Sequence, residues 1–196
     1  MKRLLSLLLT LILCLGLLVG CQERGIPIPP DSAPDPALSE PSPEPLPPDF
    51  AFSIVWDVYG ISSYDSSTGK LIKENDVDNV EDYTADLTLS EADLKKVCGW
   101  LCTDIDLWQY PDEYDPFNAP DADFRKMSTP SQDIVLSVTA NGQTKTVTCN
   151  DVMIGTEEDG YCREAKAFLR ARTQIIRLLK AQPEWQELPE YDHMFE

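Results

Sequence analysis

Residues 134–149 read IVLSVTANGQTKTVTC, and they decide the fold. Ile134, Leu136, Val138 and Ala140 recur at every second position, the period of a strand with one face on a core. Asn141-Gly142 follows, a pair that accepts positive φ at both central positions of a two-residue hairpin turn. Counting outward from that turn sets Ala140 opposite Gln143, Val138 opposite Lys145, Leu136 opposite Val147 and Ile134 opposite Cys149. This register carries Cys149 onto the apolar face. An isolated hairpin is at best marginal in water, so the flanking chain must supply more strands and a cover.

Upstream, Phe52, Ile54, Trp56 and Val58 alternate with more polar neighbours and predict another strand. Residues 62–69 (SSYDSSTG) are rich in turn formers, which makes residues 70–74 the returning partner. Tyr83, Ala85, Leu87 and Leu89 predict a third strand. Ser90 then stands as an N-cap with Asp93 three residues on. Leu94, Val97, Cys98, Leu101, Cys102 and Ile105 recur at helical spacing, predicting a helix over residues 91–107. Downstream of the hairpin a second helix is predicted over residues 159–181, burying Tyr161, Ala165, Phe168, Ile175, Ile176 and Leu179, with Pro183 as its stop. Trp185, Leu188, Tyr191 and Phe195 would pack back as a tail. The order of elements predicts a two-layer α+β domain: an antiparallel sheet of four to five strands with two helices on one face.

Five features of residues 51–185 resemble a domain of unknown function found in many secreted bacterial proteins. They are the order of hairpins and helices, residues 107–114 (LWQYPDEY), Thr129-Pro130, residues 141–147 (NGQTKTV), and the closing Trp185. The resemblance implies the same α+β fold and brings no catalytic residues with it.

The N-terminus reads as an address. Lys2-Arg3 precedes an apolar run from Leu4 to Val19, which is short beside the about 20 residues of a membrane span. Leu18-Val19-Gly20-Cys21 resembles the lipobox of bacterial lipoproteins, which implies cleavage before Cys21 and acylation of that cysteine. Residues 1–20 are thus read as signal peptide, residues 21–49 as lipidated tether and residues 50–196 as a single domain, held on the outer side of a membrane. The tether holds ten prolines, six acids and one arginine between Gln22 and Asp49. As extended polyproline II, at about 3.1 Å per residue, it would span roughly 80 to 90 Å.

The formal net charge is −18, and the signal peptide carries away two cations and no acid. Nucleic acid needs a basic surface, so it is excluded as a partner. Four cysteines remain in the domain: Cys98, Cys102, Cys149 and Cys162. Export permits disulfides, and crossing bonds from the first helix to Cys149 and Cys162 suit the geometry better than a bond between Cys98 and Cys102. Buried free thiols are the alternative. A zinc site is a third reading, for which the spacing is unlike common structural zinc patterns.

His193 is the single histidine, and no phosphate-binding glycine loop is present. Nucleophile triads and nucleotide sites therefore find no support, no cofactor or metal is called for, and the chain is read as non-catalytic. What remains is residues 108–132, a long aperiodic segment mixing aromatics with acids. Trp108, Tyr110, Tyr114, Phe117 and Phe124 form its candidate binding surface for an envelope protein or peptide. Two rival readings use carboxylates. Calcium could be held by Asp76, Asp78 and Asp82 or by Asp115, Asp121 and Asp123. A cell-wall glycosidase would need two facing acids.

Overall fold

The computed structural model describes residues 45–73 and 81–190. These form an α+β domain on a single antiparallel sheet, with strands β1 (Ala51–Trp56), β2 (Ser62–Asp65), β3 (Lys70–Lys73), β4 (Tyr83–Asp86), β5 (Gln132–Ala140) and β6 (Gln143–Val152). The sheet order is β4-β3-β2-β1-β5-β6. Six strands replace the expected four to five. The added strand is β2, in the segment read as turn. Its inward positions are Ser62, wholly buried and hydrogen-bonded to Asp57 (2.7 Å), and Tyr64, 2% exposed. A serine facing inward hides the period of two. β2, not β3, is therefore the partner of β1, and the tight turn moves to residues 57–61, where Asp57, Tyr59 and Gly60 all have positive φ.

The β5–β6 register is the one read from the Asn-Gly pair, with Ile134 opposite Cys149 and Ala140 opposite Gln143. Asn141 and Gly142 have φ of 53° and 76°, the left-handed conformation that such a turn requires. The turn has an unexpected outside partner: both of its N–H groups donate to the Asp49 carboxylate.

The helical layout differs from two simple helices. Helix α1 (Glu91–Cys98) is capped by Ser90, whose hydroxyl accepts from Asp93 N at 3.1 Å. From Gly99 to Asp104 it widens into a π-helical turn, closed by Ile105 N donating to Trp100 O. Val97, Leu101 and Ile105 are buried along this stretch. Asp106, at φ 45°, then ends the helix.

Helix α2 (Arg163–Lys180) starts later than expected. Thr156 and Asp159 cap each other around a 3₁₀ turn at Glu157–Asp159, and Cys162 serves as the N-cap of α2. Tyr161 is thereby left outside the helix. Pro183 opens a short helix, α3 (Pro183–Gln186), instead of only ending α2. Its Trp185 packs on Trp56 at 5.6 Å between ring centroids, and Lys73 and Lys180 lie over the Trp185 ring.

One core unites the inward side chains of β1, β5 and β6 with Val97, Leu101, Phe168, Leu169 and Ile175. No helix among the described residues is long and apolar enough to cross a membrane. Cys21 and the lipobox, Asp76, Asp78, Tyr191, His193 and Phe195 lie outside the described residues.

Candidate functional site

The aperiodic segment divides into an inward half and an outward half. Trp108 sits in the 3₁₀ turn Leu107–Gln109 and packs half-buried against the core. Residues 112–114 run beside β6 as a short parallel pairing, with Thr148 N donating to Asp112 O (2.8 Å) and Tyr114 N to Thr148 O (2.9 Å). This turns Tyr110 and Tyr114 onto α2. Their rings and that of Phe168 form a triad with centroid separations of 5.2 to 5.4 Å, and the Tyr110 hydroxyl donates to Glu164 O. Burial pushes both phenols well above their ordinary value. Phe117 is 1% exposed and belongs to the core, which removes it from the binding surface read from sequence.

Beyond Phe117 the chain is folded on its own polar groups. Asp115 accepts from Phe117 N and Asn118 N and pairs with Arg125 at 3.3 Å. Asn118, 5% exposed, donates through its side chain to Asp115 and to Lys126 O, and accepts from Lys126 N. These bonds pinch the loop shut at its base. Asp121 and Asp123 remain exposed in it, while Asp115 is engaged at the base, so the three carboxylates do not form one ligand set. Among the described residues no group of three or more acids, histidines or cysteines is gathered to hold a metal.

The pinched loop displays Phe124, 91% exposed, and Met127, 78% exposed. Ser128 accepts from Ile154 N at 2.8 Å and Lys126 donates to Asp159 O, so this display stands beside residues 154–161. Ile154 and Tyr161 are themselves exposed large hydrophobics. Met127, between polar residues, gives no periodic signal in the sequence.

A groove of about 670 Å³ lies between the loop and β6, lined by Tyr114, Asn118, Arg125, Met127, Asn150 and Tyr161 among others. Tyr161 hydrogen-bonds Tyr114 and Cys162, and burial first, then the bond to Cys162, raises its phenol above the ordinary value. The groove therefore offers neutral phenols, amides and apolar surface, with Glu113 and Asp151 as further carboxylates on its walls.

All four cysteines of the domain are free thiols, and the crossing disulfides weighed from sequence are not formed. Cys98 and Cys102 hydrogen-bond each other on α1 and its π turn, beside a second pocket of about 320 Å³ that Leu46 and Pro47 also line. Cys149 is wholly buried in the sheet, and Cys162 accepts from Ala165 N at 3.4 Å as a helix cap. Packing and capping occupy the sulfurs separately. No protein-family model matches this chain, and no curated protein matches it either.

Proposed function

We propose that the chain is an extracytoplasmic, lipid-tethered interaction module that binds an envelope protein or peptide at the loop and groove beside β6. The observation that carries this is the exposure of Phe124 and Met127 on a loop pinched at its base by Asn118 and Asp115. Large apolar side chains held in water cost free energy that a covering partner recovers, and contiguous exposed apolar surface marks such sites. Anchoring is ascribed to Cys21, with the proline-rich segment as spacer. In the same proposal α1 and α2 share one face of the sheet, as the joining of Val97, Leu101, Phe168 and Ile175 to its inward side chains supports.

In the same proposal the groove is a binding site and not a catalytic one. Asp115 is engaged by two backbone N–H groups, the Asn118 amide and Arg125, all within the loop it closes.

Site-specific photocrosslinking in the intact cell tests the proposal. A photoreactive residue at position 124 should trap one discrete partner, and the same residue at Ser67, in the exposed β2–β3 turn, should not. Equal trapping at both positions, or none at 124, contradicts it.

A further inference from the structure

The edge of β6 is only partly covered, and the uncovered part opens into the groove. Thr148 turns both its N–H and its C=O toward residues 112–114. If that parallel pairing ran on, the next outward residue, Asn150, would donate to Tyr114 O and accept from the N–H of residue 116. Residue 116 is proline, which has no N–H to give, and the chain turns away there. Among the described residues Asn150 has no partner on β5 either, since it falls in the register shift between Gln132 and Ile134. Its exposed backbone thus sits on the groove wall as an unfinished strand edge.

The surroundings favour one class of occupant. Five charged side chains line the groove, three acids and two bases: Arg125 is paired with Asp115, Lys126 donates to the Asp159 backbone carbonyl, and Glu113 and Asp151 tip the balance of the walls to negative. Among the described residues the Asp151 carboxylate accepts from the Ser131 hydroxyl at 3.2 Å and forms no ion pair. Met127 and Tyr161 supply apolar contact at the rim.

We propose that the groove takes an extended, positively charged peptide segment of another protein, which adds to β6 as a strand by pairing with the backbone of Asn150. Main-chain bonds give such strand addition its affinity, and alternate side chains give it specificity. Here a basic side chain reaches Glu113 and Asp151, and an apolar one covers Met127 and Tyr161. The inference rests on the interaction-module proposal and narrows it to a ligand chemistry.

The test is fluorescence anisotropy with the full chain and two fluorescein-labelled peptides, one alternating valine with lysine and the other valine with glutamate. The lysine peptide should bind, slow the exchange of the Asn150 amide and lose about tenfold in affinity in Asn150→Pro and in Glu113→Lys, while the glutamate peptide does not bind. Glu113 is exposed, so Glu113→Lys keeps the test open if the proline variant fails to fold. The inference is overturned if both peptides bind alike, if neither binds, if Glu113→Lys leaves the lysine peptide's affinity unchanged, or if the peptide-free chain dimerises through β6. Failed peptide binding with a discrete crosslink still formed at position 124 removes the strand-addition inference and spares the module; loss of both removes both.

Discussion

The Asp49 carboxylate accepts the Gly142 N–H at 2.6 Å and ties the end of the proline-rich segment to the tip of the β5–β6 hairpin. Asn141 N donates to the same carboxylate at 2.8 Å. These two bonds, Gly142 first, hold the Asp49 carboxyl below its ordinary value. A group with a depressed folded pKa stabilises above its unfolded pKa, and the contribution fades as pH falls through the folded value. Asp49→Ala should therefore melt lower than the parent at pH 7, and the gap should close below about pH 4. A chain beginning at Phe50 should melt lower as well. Identical melting of parent and variant at pH 7 would show the cap to be idle.

Tyr110 and Tyr114 rest on Phe168, so their rings contribute to packing. Truncating either to alanine removes ring contacts and leaves a void, which should cost about 2 kcal/mol or more in denaturant unfolding. Their raised phenols give a second measurement. A neutral form favoured by folding stabilises below the unfolded pKa, so stability should decline as pH rises above about 10. Urea midpoints at pH 9 and pH 11 check the sign.

Thiol chemistry separates free cysteines from bridged ones. Burial pushes the Cys102 and Cys149 thiols up to about 12, so neither is thiolate near neutrality. In the native protein at pH 8, iodoacetamide should label Cys149 far more slowly than Cys98 or Cys162, and unfolding should equalise the rates. Peptide mapping without reductant should find no bridge from α1 to Cys149 or Cys162. A bridge found there would overturn the free-thiol arrangement.

Arg172 is 8% exposed and its guanidinium donates to Gln132 Oε1 (3.2 Å) and Gly155 O (3.3 Å). Among the described residues its Nε has no hydrogen-bond partner, and burial lowers its pKa. Gln132→Leu removes an acceptor and leaves a buried cation short of bonds, a change that should cost about 1 to 3 kcal/mol. Arg172→Met, similar in volume and apolar, should cost less, and the double variant should recover most of the loss. Thermal melts of the three variants check that order.

The hairpin could be read from sequence because every local signal agrees: alternation, the Asn-Gly pair and the register all count to the same pairs. β2 could not, since Ser62 fills an inward position and its burial depends on Asp57 across the turn. Helical spacing alone does not announce the π-helical turn. In the aromatic loop, Phe117 and Phe124 are the same residue type seven positions apart, one in the core and one in water. Composition marks such a segment as unusual, but what lies behind each ring decides its role. Asn118 is the missed residue. Its part as the loop's clamp depends on Lys126 coming near, which no local pattern encodes.

The most direct measurement pairs stability with partner capture in the double variant Phe124→Ser, Met127→Ser. Both side chains are exposed, so the melting temperature should stay within about one degree of the parent, surface changes being worth about 0.5 kcal/mol or less. Crosslinking from a neighbouring photoreactive position, Asp123, should then lose the partner band. An unchanged band in the folded double variant would contradict the proposal that this loop is where the protein binds.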